Sequence, residues 1–267
     1  MKTKRRSYVQ QRSFGFIGAG RVARILLGGF RQAGRMPRNI VAADTDQKVL
    51  EKLIAEFPEV APALNGNRDA AAQEIVFLAL HPPAISQVLG EIGESLQADA
   101  ILISLAPRWT LARLAEKLGG FPRITRMIPN APSLVNDGFN PVAFAPTYPA
   151  KEREEILELL RLLGECPQVS EEKLEAYAIL TAMGPTYFWF QMEELASLGG
   201  TFGLSEEEAW RGIVAMTEGA ARILRNSGLS PEQIMDLVPV KPLAKDEDVI
   251  RSIYHTRLES LYQKIRP

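Results

Sequence analysis

The sequence has 267 residues, of which 46% are hydrophobic and 24% charged, as in ordinary water-soluble globular proteins. This length favours two domains. Lysine and arginine (31) balance aspartate and glutamate (32), so a net charge of -1 offers no field of one sign for nucleic acid or an acidic membrane. No stretch approaches the ~18 apolar residues of a membrane helix, and the start MKTKRRSYVQQRS lacks the apolar run of a signal peptide. We therefore expect a cytoplasmic protein.

Cysteine and histidine are too scarce for metal chemistry. The single cysteine, Cys166, excludes an internal disulfide, and His81 and His255 are the only histidines. These residues do not make up a plausible zinc ligand set, so no metal is expected. The chemistry must come from a bound cofactor or from Ser, Thr, Asn, Tyr, Lys and carboxylate side chains.

From residue 13 to residue 105, short apolar runs alternate with longer segments of helical period, a pattern typical of parallel sheets with crossover helices. Strands are predicted over residues 14–17, 40–43, 75–80, 101–105, 124–127 and 142–145. Helices are predicted over residues 22–33, 47–57, 83–92, 111–118 and 150–163, before a short apolar run at 166–169. The pattern indicates a doubly wound α/β domain.

After about residue 171 the strand signal disappears and apolar residues recur at helical spacing. Ser205 and Glu208 form a capping-box pattern. The helix after it carries an apolar stripe of Trp210, Ile213, Val214, Thr217, Ala221 and Leu224. A helix over residues 187–198 is apolar almost all round, which indicates the centre of a domain or a subunit interface. We predict an α/β domain over residues 1–170 and an all-helical domain over residues 171–267.

A glycine-rich turn follows the first predicted strand. It contains Gly18, Ala19, Gly20, Arg21, Val22 and Ala23, which fit the G-x-G-x-x-G/A pattern of dinucleotide sites. Gly18 permits the tight turn, Gly20 lets a pyrophosphate approach the backbone, and Ala23 allows close helix packing. A plain glycine turn is the alternative, but the strand, turn and helix together favour a nucleotide.

Asp44 ends the second predicted strand, where an acidic side chain accepts hydrogen bonds from the adenosine ribose. The carboxylate would repel a 2′-phosphate, so NAD is favoured over NADP, unless Arg21 or Lys48 offsets the repulsion. Alternatively, Asp44 only caps the next helix, a task for which Asp46 is placed at least as well.

Three later segments carry polar groups. His81, between Leu80 and Pro82, follows a strand at the edge where open α/β sheets bind ligands, although a solvated turn residue is the alternative. Asn130 lies in the proline-containing turn RMIPNAPSLVNDG, which either aims an amide at the nicotinamide or substrate or is ordinary turn chemistry. A helix start at Gly184, Pro185, Thr186 and Tyr187 also has an ordinary structural explanation.

The runs GFIGAGRVA, IVFLALHPP, RMIPNAPSLVNDG and AMGPTYFWFQMEEL follow one another in this order. With this order and spacing, the chain resembles the pyrroline-5-carboxylate reductase family over nearly its whole length. The resemblance implies an N-terminal Rossmann domain and a C-terminal helical domain that dimerises. It also implies hydride transfer from NAD(P)H to a cyclic imine carboxylate, which gives proline.

The resemblance assigns roles to individual positions. Gly18, Gly20 and Ala23 match the pyrophosphate loop. Pro129, Asn130 and Pro132 match the family's Met-Pro-Asn-Thr-Pro turn, with Ile128 and Ala131 in place of Met and Thr. Gly184, Pro185 and Tyr187 match its Gly-Ser-Gly-Pro-Ala-Tyr helix start, with Ala182 and Met183 in place of Gly-Ser. His81 stands where the family has lysine.

The largest departure concerns the substrate carboxylate. The family's Ser-Pro-Gly-Gly-Thr-Thr segment, whose amides and hydroxyls hold that carboxylate, corresponds to VPVKPL at residues 238–243. Only its proline is shared, and Pro242 removes one backbone N–H. Lys241 and Lys245 would supply a different anion site, or they are two solvated loop lysines.

We predict an NAD(P)H-dependent reductase that transfers a hydride to a C=N or C=O bond of a small molecule. The predicted cofactor contacts are residues 18–23, Asp44, Leu80, His81, Pro82 and Asn130. The catalytic candidates are Asn130, Thr186 and Tyr187, and the substrate candidates are Met183, Gly184, Pro185 and Lys241. Two alternatives stay open: a dinucleotide-binding sensor without catalysis, and a genuine pyrroline-5-carboxylate reductase. We also expect a homodimer through the C-terminal helices.

Overall fold

A computed structural model describes residues 12–267. Residues 1–11, where no signal peptide is predicted, lie outside the described residues. The chain divides into two compact units, one of Met1–Ala182 with Tyr262–Pro267 and the other of Met183–Leu261. The functional division at residues 170 and 171 stays a prediction. No helix among residues 12–267 is long and apolar enough to cross a membrane.

The first unit alternates strands and helices. Its strands are β1 (Ser13–Ile17), β2 (Asn39–Asp44), β3 (Val60–Leu64), β4 (Ile75–Leu78), β5 (Ile101–Ser104), β6 (Ile124–Met127), β7 (Gly138–Phe139), β8 (Val142–Phe144) and β9 (Gly164–Glu165). Its helices are α1 (Arg21–Gln32), α2 (Gln47–Glu56), α3 (Asn67–Ala71), α4 (Pro82–Ile92), α5 (Leu111–Lys117), α6 (Ala150–Leu160) and α7 (Leu174–Tyr177). Short 3-10 turns lie at Ala131–Val135, Arg161–Leu163 and Glu171–Lys173, and a π-helical turn lies at Ala178–Ala182.

Seven strands form one sheet in the order β3-β2-β1-β4-β5-β6-β8. Every pairing is parallel except β6 with β8, which is antiparallel. The central strands β4 and β5 are buried on both faces, as their continuous apolar runs predicted, and Phe16 stacks on Phe77 at the centre. The predicted doubly wound α/β fold is confirmed, and its strand order reverses between β1 and β4, where such sheets bind ligands.

The structure adds elements that the sequence pattern did not indicate, among them β3, α3 and the short strands β7 and β9. The edge strand β3 contains Pro62, and α3 lies between β3 and β4. The short run at residues 166–169 makes only an isolated bridge from Gln168 to Val142, while β9 just before it pairs with β7.

The second unit is helical. It contains α8 (Pro185–Thr201), α9 (Glu206–Asn226), α10 (Pro231–Asp236) and most of α11 (Glu247–Ile265). The predicted capping box is confirmed, because Ser205 and Glu208 each bond to the other's backbone N–H at the start of α9. Within Met183–Leu261 only Gly184, Gly199 and Ala209 are buried, so this unit has almost no core of its own.

Candidate functional site

The glycine turn lies at the carboxyl end of β1. Gly18 has a φ of 97°, and a Cβ there would come within 2.5 Å of the Ala79 carbonyl oxygen, so only glycine fits. Gly20 is the N-cap of α1, and no side chain caps this helix. A Cβ on Gly20 would meet nothing within 4 Å. The first turn of α1 thus faces space in which an anionic group has room to approach the backbone N–H groups.

Asp44 bonds to two loops at the end of β2. Its Oδ2 accepts a hydrogen bond from the backbone N–H of Ala19 at 2.9 Å, and its Oδ1 accepts from the N–H of Asp46 at 3.0 Å. The alternative that Asp44 caps α2 is wrong, because Asp46 is the N-cap and accepts from the Lys48 N–H at 2.8 Å. The Asp44 carboxylate therefore holds the glycine turn while its remaining lone pairs stay available for a ligand.

The loop after β4 lies beside the glycine turn. Leu80 is half-buried, and its side chain would come within 3.2 Å of a Cβ on Gly18. His81 is exposed and is the N-cap of α4, although its side chain makes no capping hydrogen bond. The carbonyl of Pro82 accepts a hydrogen bond from Trp109 Nε1 at 3.3 Å, which ties this loop to the loop after β5.

Asn130 is buried at the end of the loop after β6, with 9% of its surface exposed. Its Oδ1 accepts from the backbone N–H of Phe139 at 3.0 Å, and its Nδ2 donates to the Thr181 carbonyl at 3.4 Å. The predicted proline-containing turn is present and includes a 3-10 helix at Ala131–Val135. Asn130 is thus held in one orientation, with one Nδ2 hydrogen left to donate.

The sequence analysis missed a largely buried ion-pair cluster behind these loops. Arg126 on β6 is fully buried, and its guanidinium bonds to Glu171 Oε1 at 2.9 Å and to Glu175 Oε1 at 2.5 Å. The same two oxygens accept from the backbone N–H groups of Leu111 at 2.6 Å and Arg108 at 3.1 Å. No local pattern connects residues so far apart along the chain, although a charged residue inside an apolar strand was a signal that a partner was needed.

The remaining predicted residues lie in the second unit. Thr186 is exposed, and its Oγ1 donates to the carbonyl of Met183 at 2.6 Å. Tyr187 lies edge-on to Tyr254 with ring centroids 5.9 Å apart, and burial, with a smaller contribution from Tyr254, raises the pKa of Tyr187. Lys241 is exposed in the loop between α10 and α11.

The helices of the second unit expose a large apolar surface. On α8, Trp189 is 53% and Phe190 63% exposed, and the following Phe202 is 78% exposed. Together with Thr186, Met192, Glu193 and Trp210, the first two line a cleft of about 450 Å³. An exposed surface with several large apolar side chains is usually covered by a partner.

Two family models match parts of the chain. The model described as NADP oxidoreductase coenzyme F420-dependent matches residues 13–108, and the model described as pyrroline-5-carboxylate reductase dimerisation matches residues 171–242. The first match lies within the first unit, and the second runs from the end of that unit through most of the second unit.

Known proteins resemble nearly the whole chain. It is 32% identical over 231 residues to pyrroline-5-carboxylate reductase 2 of Bos taurus, covering 85% of this chain and 72% of that protein. It is 27% identical over 229 residues to the pyrroline-5-carboxylate reductase of Escherichia coli (strain K12), covering 85% of each. A solved Coxiella burnetii pyrroline-5-carboxylate reductase shares 27% identity with a TM-score of 0.68, covering 96% of this chain and 94% of that one. A Plasmodium falciparum pyrroline carboxylate reductase, solved with NADP bound, has the same fold, with 19% identity, a TM-score of 0.75 and coverage of 96% and 95%.

Proposed function

Because the chain belongs to the pyrroline-5-carboxylate reductase family and is an NAD(P)-dependent oxidoreductase, we propose that it reduces the C=N bond of a small cyclic imine. One observation carries the proposal: the space over Gly20 at the uncapped start of α1, at the point where the strand order reverses. This arrangement suits the pyrophosphate of a dinucleotide.

The residues present fit such a cofactor, which supplies the hydride when bound. The N–H groups of the first turn of α1 would face the pyrophosphate, and Asp44 would accept hydrogen bonds from the adenosine ribose. We propose that NADH is preferred, because the carboxylate of Asp44 would repel a 2′-phosphate. The exposed cations Arg21 and Lys48 limit that preference.

Reduction of C=N requires a proton on nitrogen as well as a hydride on carbon. We assign the proton donor to Tyr187, because a phenol, with an ordinary pKa of about 10, carries its proton at neutral pH, and burial raises the pKa of Tyr187 further. Thr186 is the less suitable donor, because its hydroxyl already donates to the carbonyl of Met183. Water is the further alternative. Asn130, with one free Nδ2 hydrogen, would hold the carboxamide of the nicotinamide or the substrate.

The substrate proposal depends on the segment over residues 238–243. Val238 and Val240 are 63% and 73% exposed, and Pro242 has no N–H to donate. The family's array of carboxylate donors is therefore not reproduced, although Lys241 offers one flexible charge. We propose that pyrroline-5-carboxylate is reduced poorly and that an imine with a less polar substituent is preferred.

A genuine pyrroline-5-carboxylate reductase is the second candidate. It is favoured by the relatives, which are named pyrroline-5-carboxylate reductases and match 85% of this chain. Oxidation of NADH and NADPH should be compared with pyrroline-5-carboxylate, the uncharged 1-pyrroline and several 2-keto acids. A kcat/KM near 10⁵ M⁻¹s⁻¹ or above for pyrroline-5-carboxylate, as for ordinary enzymes, would favour this second candidate. Lack of turnover with every imine would contradict the main proposal, and lack of turnover with the 2-keto acids as well would restore the sensor alternative.

We also propose a homodimer through the second unit. The support is its exposed apolar surface together with the match of residues 171–242 to a dimerisation model. A second copy would cover side chains such as Phe190, which a monomer would leave in water.

A further inference from the structure

We propose that Glu171 and Glu175 are positioning residues that act through Arg126 on the loops after β4, β5 and β6. These loops lie on the side of the switch point away from Asp44, which is the side expected for the nicotinamide half of the cofactor. The role in catalysis rests on the proposed function. The positioning of the loops is argued from contacts within the first unit.

The two carboxylates hold the loop after β5 by its backbone. Glu175 accepts from the N–H of Arg108, and Glu171 accepts from the N–H of Leu111 at the first residue of α5. Arg108 has a φ of 70°, a left-handed conformation that a non-glycine residue adopts only when its surroundings enforce it. The bond to Glu175 lies at this strained residue, so the carboxylate fixes the shape of the loop.

Trp109 carries this constraint to the loop after β4. Its ring is buried, its Nε1 donates to the carbonyl of Pro82, and the guanidinium of Arg113 lies over the ring at 4.6 Å. Pro82 directly follows His81, one of the predicted cofactor contacts. A shift of the loop after β5 therefore moves the start of α4.

The same segment constrains Asn130. After Glu175, the chain continues through α7 into the π-helical turn at Ala178–Ala182, and the Thr181 carbonyl of that turn accepts from Asn130 Nδ2. Arg126 lies four residues before Asn130 and is anchored to Glu175. The cluster therefore fixes Asn130 from both sides.

Stability alone is a weak reason for such a cluster. Two carboxylates share the buried guanidinium of Arg126, Glu175 fully buried and Glu171 partly exposed, and Glu175 Oε2 and Arg126 Nε have no hydrogen-bond partner in the described chain. Buried ion pairs of this kind are often replaceable by apolar side chains without loss of stability. Their bonds are directional, which suits a role in setting loop geometry.

The test compares Glu171→Ala with Glu172→Ala, a neighbour on the same 3-10 turn whose carboxylate bonds to Ser170 instead. In the cofactor-free protein, we expect Glu171→Ala to speed amide hydrogen exchange at residues 108–111 and at His81 and Ala84, with β1 unchanged. In turnover we expect kcat to fall about tenfold or more, since small misplacements are costly in catalysis. The Kd for NADH should change less than about threefold, because the glycine turn that binds the pyrophosphate is not touched.

Glu171→Gln keeps an acceptor oxygen, so it should recover part of the lost kcat, and it replaces the alanine variant if that variant unfolds. The inference is overturned if exchange quickens only at residue 111, or if kcat stays within about twofold of the Glu172→Ala control, well short of the expected loss. An inactive wild-type protein would instead contradict the proposed function. The exchange comparison would then decide the positioning role by itself.

Discussion

Replacing Asp44 by alanine tests both roles that the structure gives to this carboxylate. The change removes the acceptor of the Ala19 N–H, which is buried, and of the Asp46 N–H, which is exposed to water. A buried N–H left without a partner costs about 1–3 kcal/mol, so we expect the free energy of unfolding to fall by that amount.

The same change should act unequally on the two cofactors. A hydrogen bond from a ribose hydroxyl to a carboxylate contributes about 1.5–3 kcal/mol, so NADH should bind about 10- to 150-fold more weakly. NADPH should lose less, because its 2′-phosphate is freed from the repulsion of Asp44. The preference for NADH over NADPH should therefore be smaller in Asp44→Ala than in the wild type, or reversed.

Titration calorimetry with NADH and NADPH measures this change, and Asp46→Ala is the matched control. The control removes a neighbouring carboxylate and a helix cap, which costs about 1 kcal/mol of stability, but it leaves the bond to Ala19 in place. A wild type without preference, or an equal loss for both cofactors in Asp44→Ala, would show that Asp44 only holds the glycine turn.

Three further changes test other parts of the account. Gly20→Val should abolish dinucleotide binding in calorimetry by filling the space over the turn, whereas Gly90→Val, at another open helical position, should not. Equal dinucleotide affinity in the two variants would show that the glycine turn is not the binding site. With Tyr187 as proton donor, kcat should stay level from neutral pH to about pH 10, since burial raises the pKa of the phenol above its ordinary value, and it should fall only as the phenol ionises. A Tyr187→Phe variant that keeps the kcat and the pH profile of the wild type would contradict this role. Light scattering should find a dimer, and Phe190→Glu should dissociate it. We expect the interface to bury more than roughly 2,000 Å², as obligate dimers do. A monomeric wild type at micromolar concentration would refute the interface.

The fold of the first unit was predictable because its strands and its glycine turn are marked by residues that are close together in the sequence. Strands buried on both faces must be continuous apolar runs, and Gly18 and Gly20 mark the turn that follows the first of them. The strand β3 escaped because Pro62 interrupts its pattern, and an edge strand tolerates the missing N–H. The reversed direction of β8 left no mark in the sequence, since an apolar run reads the same in both directions.

The contacts behind the candidate site were not predictable in this way. Arg126 bonds to carboxylates 45 and 49 residues away, and only the folded chain brings them together. Likewise, helical spacing predicted the apolar stripe on α9, but spacing alone does not identify the surface that packs against this stripe. Trp210 and Val214 are 37% and 45% exposed in the single chain, so their burial depends on a second molecule.

Isotope transfer tests the central claim of hydride reduction most directly. NADH deuterated at the transferable position of C4 would be incubated with the protein and a panel of cyclic imines, including 1-pyrroline and pyrroline-5-carboxylate, and the amine analysed by mass spectrometry and NMR. The account predicts a product one mass unit heavier, with deuterium on the former C=N carbon and a solvent-derived proton on nitrogen. Cofactor binding without any deuterated amine, across the whole panel, would contradict it.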